Sequence, residues 1–234
     1  MSLYLLLLIG SFIIPFILSF DKKLQFYRKW KIVIPAIIFI AITYLSVDIY
    51  FTEIRIWGFN PNYHSKISFW KLPLEEWLFF IVIPYSSLFI HYSFFYYFPK
   101  KNLSDRFTTY LTVALMVLFG LLLFFNLVKS YTSYISGLIL VALILGLINK
   151  KRILNYYYIS FLIITIPFLI VNGILTGSFI KEPIVWYNSK EIIGVRIFTI
   201  PIEDFVYAFT LIFFNLIIIE AFSKKKQNTV IRPK

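Results

Sequence analysis

The chain contains no cysteine, so it can form no disulfide, no thiolate metal site and no cysteine nucleophile. Its two histidines, His64 and His91, are not in a metal-ligand spacing, and no metal is expected. The eight glycines contain no G-x-G-x-x-G and no Walker A pattern, which argues against a bound dinucleotide. No cofactor is expected. Charge is scarce: 15% of residues are charged, against about 25% in soluble domains. Only eleven residues are acidic.

Hydrophobic residues make up 60% of the 234, and the mean hydropathy is +0.82. Aromatics reach 21%, more than interfacial belts alone would use, which leaves many to line an interior. A membrane-spanning helix needs roughly 20 apolar residues. Seven runs qualify, near 3–20, 31–50, 75–97, 107–128, 132–149, 154–175 and 201–222. The predicted fold class is therefore all-α: a polytopic integral membrane helical bundle. The first run lacks a basic n-region and an A-x-A-like cleavage site, and reads as a retained helix rather than a signal peptide.

Lys and Arg divide unevenly between the two sides of such a bundle. Sixteen fall at 22–31, 100–106, 150–152 and 224–234, and seven on the other side. The positive-inside rule places the first group in the cytoplasm, with the N-terminus outside and the C-terminus inside. The net charge of +12 then belongs to cytoplasmic loops facing anionic lipid, and no nucleic-acid partner is expected.

One stretch is written twice. Leu72-Pro73-Leu74-Glu75-Glu76-Trp77 returns as Ile200-Pro201-Ile202-Glu203-Asp204-Phe205, an apolar-framed proline before paired carboxylates and an aromatic. Proline suits a helix start, where its missing N–H would be unpaired anyway. Both copies open an apolar run, and each follows a long loop. Trp57 and Trp186 stand at nearly the same distance ahead of the two prolines, and the loops carry Arg55 and Arg196. These features describe an internal direct repeat. Residues 1–100 form a first half, 101–131 a connector helix, 132–222 a second half and 223–234 a basic cytoplasmic tail. A directly repeated three-helix unit would come out inverted in the membrane. The extra helix restores its direction and puts both motifs on one face.

Acids in a helix's first turn are favourable through the macrodipole and mark many ordinary interfaces. Two matched pairs on one face of a membrane protein point instead to function. Four converging carboxylates, Glu75, Glu76, Glu203 and Asp204, cannot all ionise cheaply, so at least one proton should be shared or retained. Trp77, Phe79, Phe80, Phe205 and Tyr207 would offer π faces to a cation. Asp48 and Asn172 fall at the same outer end and complete the candidate substrate-binding set. Such a pocket suits protonation of an alkene and guidance of the carbocation. Adjacent residues project about 100° apart on a helix, so one acid of each pair should face the cavity, and Glu75 and Glu203 are expected there. Other chemistries fit less well. A magnesium–diphosphate site would space acids at i, i+4, and the last run has no lysine for a retinal Schiff base. His64 could assist from its loop. His91, roughly 24 Å inward of Glu75 at 1.5 Å per residue, reads as a packed histidine.

The duplicated motifs, with Trp57-Gly58-Phe59-Asn60-Pro61 before the first and Asn172-Gly173-Ile174-Leu175-Thr176-Gly177 before the second, resemble the membrane-integral lycopene cyclases. Family members occur as two small subunits or as one fused chain, and this sequence is similar to the fused form over roughly 1–222. The resemblance implies a lycopene β-cyclase that closes the ψ ends of lycopene to β-ionone rings, giving β-carotene by way of γ-carotene. It points to Glu75, Glu76, Glu203 and Asp204 as the essential acids. Lycopene and γ-carotene would be its lipid-soluble partners, together with membrane lipid. The alternatives are a carotenoid hydratase, or a carotenoid-binding or transport protein without catalysis.

Overall fold

The computed structural model describes residues 1–149 and 151–230. Its seven α-helices are α1 (Leu3–Leu18), α2 (Trp30–Glu53), α3 (Leu74–Tyr97), α4 (Asp105–Phe125), α5 (Ser130–Asn149), α6 (Lys151–Leu175) and α7 (Ile202–Val230). Six of them, α2 to α7, are long and apolar enough to cross a membrane. The first helix has 16 residues, short of the roughly 20 that a span needs. Seven expected spans thus become six full-length helices and one short apolar helix. The last helix runs on past Phe222 to Val230, into the segment read as a tail. Arg232, Pro233 and Lys234 of that tail, and Lys150, lie outside the described residues.

Hydrocarbon offers helices little reason to associate through apolar surface alone, so close packing and interhelical hydrogen bonds must hold the bundle. Small residues supply the first: Ala36 of α2 and Ala142 of α5 are wholly buried. Buried hydroxyls supply the second. Tyr157 donates to the Phe209 carbonyl at 2.8 Å, and Thr112 and Tyr158 meet at 2.7 Å. His91 sits at 2.7 Å from the Ser160 hydroxyl, a packed interior histidine as its sequence position suggests. Each such bond contributes about 1 kcal/mol in a membrane. Helix α4 packs on α5 and α6 and leaves Tyr110, Val117, Phe124 and Phe125 more than half exposed, as expected of a lipid-facing surface.

The all-α expectation holds, and the two long loops add six short strands: β1 (Trp57–Phe59), β2 (Ser68–Phe69), β3 (Leu72–Pro73), β4 (Val185–Tyr187), β5 (Arg196–Ile197) and β6 (Ile200–Pro201). Hairpins β2–β3 and β5–β6 lead straight into α3 and α7. In the first, Trp70 and Lys71 both take positive φ, the geometry that a tight two-residue turn demands. Strand β1 pairs antiparallel with β4, joining the two loops, and Gly58 faces Trp186. A Cβ on Gly58 would come within 2.3 Å of the Trp186 ring, so only glycine lets the indole lie there.

The loops repeat in a single register, shown by matched backbone bonds. Leu74 N–H donates to the Ile67 carbonyl and Ile202 N–H to that of Val195. Asn60 N–H donates to the Ile184 carbonyl and Asn188 N–H to that of Ile56. On this register Trp186 corresponds to Gly58, not to Trp57, whose counterpart is Val185. The tryptophan match read from the sequence is therefore one position out, because two unlike positions happen to carry the same side chain.

Candidate functional site

Proline opens each motif, and the two acids follow in the first helical turn. Pro73 is the extended residue capping α3, one position earlier than the first-turn place expected for it. The first acids face back toward the loops. Glu75 Oε1 accepts from the Ser2 hydroxyl at 2.6 Å and from the Ser65 N–H at 2.6 Å, while Oε2 accepts from the Ser65 hydroxyl at 3.0 Å. Glu203 Oε1 accepts from the Thr132 hydroxyl and the Ile193 N–H, both at 2.7 Å. Ser65 and Ile193 each lie ten residues before their acid. Each first acid therefore ties the preceding loop, and the start of α1 or α5, to the top of its own helix.

The second acids face each other's half. Glu76 and Asp204 line one shared cavity of ≈ 80 Å³, so the two motifs do converge. Glu75 and Glu203 do not line it, which reverses the expected choice of inward pair. The reason is the loop: backbone N–H groups ahead of each helix capture the first acid, and the step of about 100° between neighbours turns the second one inward. Glu76 Oε2 accepts from the Tyr4 hydroxyl at 2.5 Å. Asp204 Oδ1 accepts from Tyr131 at 2.8 Å, and its Oδ2 from Tyr187 at 2.8 Å and Asn172 at 2.9 Å. Tyr4 and Tyr131 are matched in the two units, since their amides bond the Tyr63 and Glu191 carbonyls, which are equivalent positions in the loop register.

The remaining predicted residues divide. Asp48, Asn172, Phe79 and Tyr207 line the cavity. Trp77, Phe80 and Phe205 do not: they pack against Trp70, Tyr44 and Phe168 respectively. His64 bonds the Ser65 carbonyl, beside the Glu75 anchor, and is not part of the lining. Tyr4, Trp57, Phe59, Phe168, Tyr131 and Tyr187 belong to the lining without being among the residues predicted for it. In the sequence Trp57 stands out only as a loop marker. Tyr4 and Tyr131 are detectable at the start of each unit's first helix, but only when the repeat is aligned residue by residue.

These rings form a connected wall. Trp57 makes edge contacts with Tyr131 at 5.0 Å, Tyr187 at 6.3 Å and Tyr207 at 6.4 Å. Tyr131 and Tyr187 stack at 5.9 Å. Burial, and next the Asp204 charge, push the Tyr187 phenol in its loop strand well above its ordinary value, so it stays a donor. No basic side chain is among the described residues of the lining, and three carboxyl groups are: Asp48, Glu76 and Asp204. Among the described residues, no group of three His, Asp or Glu side chains is arranged to hold a metal ion. The chemistry on offer is a few carboxyl groups set in an apolar, π-rich wall, able to exchange protons and to sit beside a cation.

The family model described as lycopene cyclase matches residues 1–95 and 128–222. The chain belongs to the lycopene cyclase family. The matched segments take in both motifs and both strand-bearing loops, and the intervening stretch contains α4. No significant match is found among curated proteins or among solved structures. Family membership gives the chain the role of a membrane carotenoid cyclase, an enzyme whose substrates are lipid-soluble carotenoids.

Proposed function

We propose that the protein is a lycopene β-cyclase, converting the ψ ends of lycopene to β-ionone rings and forming β-carotene through γ-carotene. The observation that carries this reading is the meeting of Glu76 and Asp204, one from each motif, in a single aromatic cavity. In the proposed reaction a carboxyl group protonates the terminal alkene of a ψ end. The internal alkene attacks the tertiary cation so formed, and a carboxylate removes a ring proton. Substrate and product are isomers, so no electrons are consumed. The rings of Trp57, Tyr187 and Tyr207 are placed to stabilise the cation, at about 0.5–2 kcal/mol each when desolvated.

We assign the proton chemistry to the inner acids and a positioning role to Glu75 and Glu203. Substrate-binding roles go to Asn172, Phe79 and Tyr207 through the lining, and to Trp77, Phe80 and Phe205 only as support for it. A cavity of ≈ 80 Å³, on a scale where one water takes roughly 10–15 Å³, suits one end of a long polyene rather than its whole length. The ends would therefore be closed in turn. We take residues 1–100 and 132–222 as the two cyclase halves, joined by the connector at 101–131, with a basic tail at 223–234.

Expression in cells that accumulate lycopene, followed by pigment analysis, tests the proposal. Appearance of γ- and β-carotene is expected. Unchanged lycopene in the presence of well-expressed protein would refute it, and a hydroxylated product would make the protein a hydratase.

A further inference from the structure

We propose that Asp48, which lies outside both repeated motifs, is a third catalytic carboxyl group of this site and the one that gives the proton. The inference rests on the cyclase reading above.

Asp48 sits near the end of α2, only 2% exposed, in the same lining as Glu76 and Asp204. Its Oδ1 accepts from the Trp57 indole N–H at 2.6 Å. Its Oδ2 is buried and has no hydrogen-bond partner among the described residues. An indole N–H can only donate, so it fixes Oδ1 as the acceptor oxygen and leaves Oδ2 as the place for a proton. A buried carboxylate oxygen with no donor is costly, whereas the same atom carrying hydrogen can point a donor at an alkene. The donors around Asp204 tell the opposite story. Tyr131, Tyr187 and Asn172 address both of its oxygens, which suits an acceptor-only carboxylate. Glu76, with one tyrosine hydroxyl on Oε2, lines the same cavity and completes the set.

The repeat does not account for Asp48. Helix α6, which follows the first helix of the second unit as α2 follows that of the first, contains no Asp or Glu; it brings Phe168 and Asn172 to the cavity instead. The site is asymmetric at this position, with the proton donor in the first unit and the acceptor in the second. In the step, the Oδ2–H bond of Asp48 breaks and a C–H bond forms at the terminal alkene carbon. The internal alkene closes the ring on the resulting cation. A ring C–H bond then breaks, its electrons form the ring double bond, and its proton passes to the Asp204 carboxylate. Return of that proton to Asp48 through Glu76 resets the site, with no net gain or loss.

The test compares the wild type with Asp48→Asn in lycopene-accumulating cells and in isolated membranes. Asp48→Asn keeps the shape and the acceptor for Trp57 but has no acidic proton. Cyclisation is expected to fall by at least about 10²-fold. The same membranes are given the 1,2-epoxide of the ψ end, whose oxygen is far more basic than an alkene and opens with a weaker acid. Asp48→Asn should still cyclise the epoxide to a hydroxylated ring. Lycopene turnover near wild type in Asp48→Asn would overturn the proposal and leave the cyclase reading intact. Loss of both reactions at wild-type protein yield would also overturn it, by showing that Asp48 serves binding or structure. Should Asp48→Asn not accumulate, Asp48→Glu and Asp48→Gln repeat the comparison at matched size: turnover in the first alone is expected, and equal turnover in both would overturn the assignment. A wild-type protein that forms no rings would fail the cyclase reading itself.

Discussion

Replacing Glu75 distinguishes a loop anchor from a proton donor. Its carboxylate receives three donors, from the Ser2 hydroxyl and from the amide and hydroxyl of Ser65. Hydrogen bonds to a charged acceptor contribute about 1.5–3 kcal/mol each, but Ser2 and Ser65 are half-buried and water can replace part of what is lost. Glu75→Ala should therefore cost about 3 kcal/mol in all, less than the simple sum of the three bonds. Glu75→Gln keeps one carbonyl oxygen for the Ser65 amide and should cost about 1 kcal/mol. The assay is thermal unfolding of the detergent-solubilised protein alongside ring formation in membranes. Glu75→Gln is expected to keep cyclisation within about tenfold of wild type, because nothing in its proposed role requires a titrating proton. Glu75→Ala should lose both stability and turnover as the β2–β3 hairpin and the start of α1 come away from α3. A Glu75→Gln protein with unchanged melting temperature and abolished cyclisation would refute the anchor reasoning and put Glu75 among the proton-transferring groups.

The inner acids should behave differently. Glu76→Gln and Asp204→Asn should each cut cyclisation by about 10²–10⁴-fold, and the double variant should be little worse than the poorer single one, since groups that act as a unit are not additive; full additivity would mean two separate sites. Gly58→Ala places a methyl group against the Trp186 ring, within 2.3 Å before any adjustment, and should lower stability by about 1–3 kcal/mol through overpacking; an unchanged melting temperature would show that the indole swings aside freely. For orientation, reporter fusions after Lys101 and after Lys225 should be cytoplasmic and one near Lys190 external, and a cytoplasmic signal at Lys190 would overturn the proposed topology.

Much of the architecture is legible without coordinates because hydrocarbon imposes a one-dimensional rule. A backbone crossing lipid must satisfy its own hydrogen bonds, so long apolar runs have to be helices, and their number and order follow by counting. The duplicated motif is likewise a linear pattern, and the argument that an extra helix brings both copies to one face needs only parity. Their convergence on a single cavity agrees with it. The run at 3–20 is overestimated because hydropathy does not register where a short helix gives way to a turn at Ser19.

Which acid of each pair turns inward is a matter of packing. The sequence treats Glu75 and Glu76 alike, and the choice depends on the Ser65 amide, ten residues away along the chain, and on the Ser2 hydroxyl. The β1–β4 ladder is equally invisible, since three-residue strands in two widely separated loops carry no period long enough to detect. The membrane fold, the repeat and the four motif acids can be read from the chain alone, because helix length, periodicity and duplicated spelling are local properties. Asp48 is likewise a sequence candidate, but the tyrosine bonds to Glu76 and Asp204, and the bare oxygen of Asp48, emerge only once the helices are packed. A hydrogen bond joins whichever side chains the folded bundle brings within about 3 Å, and neither spacing nor residue type reveals those partners beforehand.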